Sequence, residues 1–269
     1  MSYVHGYTDR ETRRLQEQSL ILEELLHGGT VYQPGSKVLE VGCGVGAQTL
    51  ILLRRHPGIR LTSIDISEES LGRARASVKA AGHGHVVFMR EDIMDHSLEP
   101  GSFDHLFVCF LLEHLGDPVV ALGKMAALLK EGGTMTVIEG DHGSGCWTPE
   151  TDASRAAWEG LVESQRMLGH DPCIGRRLYP LLKEAGFVDI RVEPRSAYAD
   201  QSSPDLLDGA VNQIITPMVY SAERYVLEHR LVDPAAWKQG LEDLSGISSR
   251  EDGTFFYSWF KGVACSPTR

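Results

Sequence analysis

An α/β fold, with a parallel sheet covered by helices on both faces, is what this 269-residue sequence predicts. Three observations predict it. From Lys37 onward short β-type runs alternate with helical stretches. A glycine-rich turn, Gly42-Cys43-Gly44-Val45-Gly46, joins the first such run to the first helix. Two late β-type runs flank a long helical insertion, which brings the expected strands to seven with the last one antiparallel.

The strands are expected in KVLEVG (37–42), IRLTSID (59–65), HVVFMRE (85–91), FDHLFVC (103–109) and TMTVIEG (134–140), then FVDIRVE (187–193) and TFFYSWFKGVA (254–264). Helices are expected over Ala47 to Arg55, Glu68 to Ala81, Pro118 to Lys130, Glu150 to Leu168 and the LYPLLKEAG segment, and over most of Ser203 to Arg250. Ser67 suits the N-cap of the second helix, because its hydroxyl can accept an unbonded N–H of the first turn. Glu68 and Glu69 add negative charge at the positive end of that helix dipole. Gly132-Gly133 is expected to end the third helix. Residues 1–30 are read as an N-terminal lid, 31–200 as the core, 201–250 as a helical insertion (lid or dimer contact), and 251–269 as the final strand of the core.

Composition narrows the function. The net charge is −11, from 26 Lys and Arg against 37 Asp and Glu. The basic pairs Arg13-Arg14, Arg54-Arg55 and Arg176-Arg177 are isolated, which disfavours a phosphate-backbone partner such as nucleic acid. No apolar run reaches the roughly 18 residues of a membrane span, and the N-terminus lacks the apolar core of a signal peptide. A cytoplasmic protein without a membrane partner is expected. The five cysteines, at 43, 109, 146, 173 and 265, show neither disulfide nor zinc-ligand spacing, so no metal site is expected.

The glycine turn carries the chemistry. Glycines let the chain turn tightly and let a ligand approach the main chain. Gly42, Gly44 and Ala47 also satisfy the dinucleotide fingerprint, so nicotinamide-dependent oxidation is a competing reading. In either case Asp65, ending the second strand, can accept hydrogen bonds from ribose hydroxyls. Glu40 separates the two: its carboxylate can orient the turn or meet an ammonium group, whereas a pyrophosphate there would be repelled. Asp92 can take an adenine amino group with Ile93 as an apolar neighbour. Cys109 ends the fourth strand, and Glu113 and His114 follow it.

This set, from about Val31 to Gly140, resembles the class I S-adenosylmethionine-dependent methyltransferases, with LLKEGGTMTVIEG as the usual approach to a fifth strand. The resemblance implies a Rossmann-like sheet and S-adenosyl-L-methionine as cofactor, with S-adenosyl-L-homocysteine as product. It implies that Glu40, Gly42 and Gly44 hold the methionine moiety, Asp65 the ribose, and Asp92 with Ile93 the adenine, while Cys109 meets the amino-acid end. Cys43, Gly46, Ile66 and His114 complete the expected cofactor set.

Ligands of open α/β sheets bind beyond the carboxyl ends of the strands. Glu139, Asp141 and His142, in IEGDHGSG, are therefore expected at the mouth of the site. His142 is a candidate proton acceptor or a brace for the loop; Glu139 is a second catalytic candidate. His5 and Tyr7 are also catalytic candidates, in an N-terminal YVHGY segment that could fold over the site. Tyr3, Asp141, Met218 and Tyr225 are candidate substrate contacts, although a Met and aromatic stripe at helical spacing also suits a core. Paired YVHGY and EGDHGS segments are similar to small-molecule enzymes that include bacterial indole C3-methyltransferases of secondary metabolism. That similarity implies a 3-substituted indole as substrate and a methylated pyrroloindoline as product. An N-, O- or S-nucleophile on another small molecule, and a cofactor-retaining but inactive partner, are the other readings. The aromatic-rich insertion is a candidate homodimer contact.

Overall fold

The computed structural model describes residues 23–267. Tyr3, His5 and Tyr7 lie outside them, as does most of the expected 1–30 lid. The strands are β1 (Lys37–Val41), β2 (Arg60–Asp65), β3 (Val87–Arg90), β4 (Phe103–Cys109), β5 (Leu129–Thr148), β6 (Val188–Asp200) and β7 (Thr254–Cys265). They form one seven-stranded sheet in the order β3-β2-β1-β4-β5-β7-β6, a Rossmann-like arrangement with the last strand antiparallel. The helices are α1 (Glu23–His27), α2 (Ala47–Arg55), α3 (Glu68–Ala80), α4 (Pro118–Leu128), α5 (Asp152–Met167), α6 (Leu178–Glu184), α7 (Pro204–Asp208), α8 (Thr216–Ser221), α9 (Glu223–Glu228) and α10 (Pro234–Gly246). Among the described residues no helix is long and apolar enough to cross a membrane.

Local chemistry sets several helix starts. Ser67 Oγ accepts the Ser70 N–H at 3.2 Å, and Asp117 accepts that of Val120 at 3.0 Å. Thr151 and Ser154 form a reciprocal capping box on α5, each donating a backbone N–H to the other's hydroxyl at 3.0 Å. The third expected helix is shorter than its sequence implied: α4 ends at Leu128, before Gly132-Gly133. Phe103 pairs with Leu129 but His105 with Thr134, so residues 130–133 bulge out of the ladder, and the glycines serve that bulge instead. Between α7 and α8, Gly209–Ile215 winds as a π-helix. Pro217 lacks the N–H that an α-helical ladder would need there, which gives the widened turn a physical cause.

The chain divides into two compact units. Among the described residues, the first contains Leu26–Gly140, Ile174–Arg195 and 259–267. On one face of the sheet Leu39, Val41, Leu106, Val108, Met135 and Val137 of the parallel strands pack with Leu122 and Met125 of α4 and Leu178 and Leu182 of α6. Val38 and Val41 of β1 face His105 and Val108 of β4, and Lys37 and Val41 face Arg60 and Ile64 of β2. Strand β1 is therefore flanked on both sides, and the chain leaves its two neighbours in opposite directions across the sheet.

The second unit contains 23–25, Asp141–Cys173 and Ser196–Ser258. Here α5 packs tightly on α10. A Cβ on Gly240 would stand 2.7 Å from Ala157 Cβ and closer still to the Ala153 carbonyl oxygen. Gly240→Ala should therefore cost about 1–3 kcal/mol, as overpacked positions do, and lower the melting temperature by several degrees. Thermal denaturation checks this; an unchanged midpoint would mean that the two helices separate without cost.

Candidate functional site

In the first unit, three glycines of the turn after β1 take left-handed backbone angles, with φ of +75° at Gly42, +51° at Gly44 and +85° at Gly46. The three have different neighbours. A Cβ on Gly42 would stand 2.9 Å from Leu111 Cδ1, and one on Gly46 would stand 3.0 Å from the Ala74 backbone of α3. On Gly44 it would meet nothing within 4 Å. Two of the glycines thus serve close packing, and Gly44 leaves room for a ligand against the main chain.

The turn is tied to the end of β2. Gly42 and Cys43 donate their N–H groups to the Ile64 carbonyl at 2.9 and 3.0 Å. Gly44 donates to Asp65 Oδ2 at 2.8 Å, and Ser67 donates to Oδ1 at 2.9 Å. Burial pushes the Asp65 carboxyl up from its ordinary range, against the lowering effect of these N–H groups. Asp65 therefore has a structural duty in addition to the sugar contact expected of it. Ile66 beside it is exposed, and the Cys43 thiol is buried and held neutral by desolvation.

Glu40 is 2% exposed. Its Oε2 accepts the hydroxyls of Thr49, at 2.6 Å, and Ser63, at 2.7 Å. Its Oε1 is buried with no hydrogen-bond partner. Burial pushes the carboxyl up to about 7, with the two hydroxyls opposing and the Asp65 charge adding to the rise. A buried acid satisfied at one oxygen suits a ligand that brings a cationic donor, and it disfavours one that brings phosphate.

Asp92 Oδ1 accepts the Met94 N–H at 2.9 Å, which turns the chain after β3 and buries Ile93. Cys109, half-buried, precedes Phe110, whose φ is +54°. Its thiol is held protonated, by burial first and then by the nearby carboxylates of Glu139, Glu40 and Glu113. His114 Nε2 stands 3.5 Å from Glu113 Oε1. Glu139, fully buried, receives the N–H groups of Leu111 and Leu112 on a single oxygen, Oε1, at 2.9 and 2.7 Å. A catalytic candidate by sequence, Glu139 is engaged here as the acceptor for the turn after β4.

Asp141, His142, Met218 and Tyr225 belong to the second unit. Asp141 Oδ1 accepts the Gly143 N–H at 3.1 Å, and its carbonyl accepts the Ser144 hydroxyl at 2.7 Å. His142 is 4% exposed. Its Nδ1 lies 2.8 Å from Tyr257 Oη, its carbonyl accepts the Trp158 indole N–H at 3.0 Å, and its own N–H reaches the Pro172 carbonyl. Met218 is buried in the insertion, and Tyr225 stacks on His229 with ring centroids 3.9 Å apart.

Several residues that matter were not legible beforehand. Thr49 and Ser63 satisfy Glu40 from a helix and a strand. Leu111 fills the space against Gly42. Gly175 passes close to β5, where a Cβ would stand 2.5 Å from the Glu139 carbonyl oxygen. Gln165 of α5 is fully buried with neither amide atom hydrogen-bonded, although a glutamine on a helix reads as a solvated residue. Among the described residues no group of three or more His, Cys, Asp or Glu could hold a metal ion.

A family model described as a methyltransferase domain matches residues 38–133, the stretch that holds β1 through β4 and the glycine turn. An O-methyltransferase of Pyrenophora dematioidea is 30% identical over 164 residues, covering 59% of this chain and 58% of that protein. The 27-O-demethylrifamycin SV methyltransferase of Amycolatopsis mediterranei is 31% identical over 134 residues, 49% of each chain. The chain thus spans about half the length of the curated relatives it matches. Among solved structures, a phosphoethanolamine N-methyltransferase 2 of Haemonchus contortus, in complex with phosphomonomethylethanolamine and S-adenosylhomocysteine, superposes with a TM-score of 0.61. It shares 18% identity over 97% of this chain and 58% of that one.

The raised Glu40 acid gives a signed pH dependence. Between its ordinary value of 4.5 and about 7, the folded ligand-free chain keeps a proton that the unfolded chain has released. Stability therefore falls as pH rises through that window. In Glu40→Gln this share of the loss should vanish, giving a smaller difference between urea midpoints at the two ends of the window. An unaltered profile would mean that Glu40 titrates in the folded chain as an exposed carboxyl does.

Proposed function

We propose that the methyltransferase domain at residues 38–133 serves S-adenosylmethionine-dependent methyl transfer to a small organic molecule. One observation carries this reading: a glycine turn with open space at Gly44 lies beside a buried Glu40 that is satisfied at one oxygen only. That combination fits a phosphate-free nucleoside bearing an ammonium group. It suits a dinucleotide less well, since a pyrophosphate would lie beside the buried Glu40 carboxyl. In this reading Glu40 and the backbone of Gly42 to Gly44 hold the amino-acid end, Asp65 the ribose, and Asp92 with Ile93 the base. When bound, the cofactor supplies an electrophilic methyl on a sulfonium sulfur. The chain's own part is to orient it, since alignment of nucleophile, methyl and sulfur supplies much of the acceleration.

The finer reading takes C3 of a 3-substituted indole as the nucleophile, supported by the similarity of the YVHGY and EGDHGS segments to indole C3-methyltransferases. Carbon 3 attacks without prior deprotonation, the carbon–sulfur bond breaks, and the positive charge moves to an iminium at C2. A side-chain nitrogen then closes on C2 and releases a proton. We assign the acceptance of that proton to His142, whose imidazole Tyr257 orients through Nδ1. An oxygen nucleophile is the second reading, favoured by the two relatives named above as acting at oxygen.

Three measurements test this. S-adenosylhomocysteine should raise the melting temperature by linkage while NAD(H) does not, and incubation with S-adenosylmethionine should add one methyl mass to an indole, phenol, thiol or amine. Stabilisation by NAD(H) alone would return the chain to the oxidoreductase reading. If it binds S-adenosylhomocysteine but methylates nothing in a broad panel, it is an inactive cofactor-binding partner. Thirdly, His142→Ala should lower turnover about a hundredfold or more, the low end for loss of a general base or acid, with cofactor affinity nearly unchanged. An undiminished rate would confine His142 to its bond with Tyr257 and its packing on Trp158.

A further inference from the structure

We propose that Glu139 is a positioning residue that holds the cofactor turn in shape from the far side, through the backbone after β4. This rests on the cofactor reading above. The chain of contacts runs entirely inside the first unit. Glu139 Oε1 accepts two successive N–H groups, Leu111 at 2.9 Å and Leu112 at 2.7 Å. These lie at the start of the short 3-10 helix Leu112–His114, where N–H groups have no partner within the helix. Phe110, immediately before them, has a φ of +54°, a conformation that an L-residue keeps only when its surroundings impose it. The two bonds to a buried carboxyl supply that imposition.

The imposed turn directs Leu111 at Gly42. A Cβ on Gly42 would lie 2.9, 3.1 and 3.3 Å from three atoms of the Leu111 side chain, so the leucine occupies the side-chain space of the glycine. Leu111 thereby backs the first residue of the cofactor turn, and Gly42 leads through Cys43 to Gly44, the position that is open to a ligand. The other end of the linkage is also fixed. Gly175 packs against the carbonyls of Glu139 and Gly140, at 2.5 and 2.7 Å from where its Cβ would be, and that holds the Glu139 backbone in place. Relaxation at Glu139 would release Leu111, and with it the backing of Gly42.

What the linkage needs from Glu139 is an acceptor oxygen, and an amide can supply one. The two bonds therefore predict a split between substitutions. Glu139→Ala should weaken S-adenosylhomocysteine binding about tenfold to a hundredfold, the range expected from losing two buried hydrogen bonds. Glu139→Gln should stay within about threefold of the wild type, since a factor of three is under 1 kcal/mol. Amide hydrogen exchange at Leu111 and Leu112 should accelerate in the alanine variant and be slowed again in the glutamine variant. Calorimetric titration of the full chain with S-adenosylhomocysteine reads the first effect, and exchange mass spectrometry reads the second.

Undiminished binding in Glu139→Ala would overturn the proposal, as would a glutamine variant that binds as weakly as alanine. If Glu139→Ala does not fold, Leu111→Ala takes its place: it removes only the group lying on Gly42 and should weaken binding severalfold, and full affinity there would also overturn the linkage. A wild-type chain that fails to bind S-adenosylhomocysteine would defeat the cofactor reading itself, which separates the two failures.

Discussion

The hydrogen bond from the Gly44 N–H to Asp65 Oδ2 joins the turn after β1 to the end of β2, and much of the site's geometry is organised around it. Strands β1 and β2 run parallel with Val41 opposite Ile64, so the segments leaving them start side by side. Both must turn sharply into a helix, and left-handed angles at three glycines let the first do so without obstructing the second. Once Asp65 has taken the Gly44 N–H and the Ile64 carbonyl has taken those of Gly42 and Cys43, the turn has one shape. The neighbours then divide: α3 closes on Gly46, Leu111 closes on Gly42, and the side of Gly44 stays open. Because β1 lies between β2 and β4, whose onward connections lead in opposite directions, the opening falls where the order of an α/β sheet leaves a crevice.

Buried acid is the second organising element. Glu40 and Glu139 are both pushed up to about 7 by burial, and each is satisfied at a single oxygen, Glu40 by two hydroxyls and Glu139 by two backbone N–H groups. Such groups cost stability when ionised without a counter-charge. A ligand carrying a cationic donor would relieve that cost at Glu40, and its binding would then raise stability. At Glu139 the carboxyl is used inward, to hold backbone that would otherwise relax, and the benefit is felt at Gly42. The two acids differ in role because their partners differ: side-chain hydroxyls around one, successive N–H groups of the turn after β4 on the other.

In the second unit the polar interior follows a different plan. His142 is held by the Tyr257 hydroxyl and stands edge-on to Trp158, whose indole N–H returns to the His142 carbonyl. Trp147 donates to Ser154, which also takes part in the cap of α5. Gln165 further along that helix breaks the pattern, since both ends of its amide are buried without a hydrogen bond.

The amino-acid sequence alone was enough for the strand–turn–helix order of the first half, the glycine turn and its acidic neighbours, and the cap at Ser67, which depend on interactions within a few residues. Periodicity and left-handed glycines act at that range, so they survive without knowledge of the fold. Strand order, the bulge at residues 130–133 and the partners of each buried group came only with tertiary structure. Glu40 finds Ser63 on a neighbouring strand, Glu139 finds backbone 27 and 28 residues away, and His142 meets Tyr257 across 115 residues. A carboxylate or imidazole in a sequence advertises its chemistry but not its partner. The partner is chosen by sheet register and helix packing, and that choice decides whether the group reacts, binds or braces.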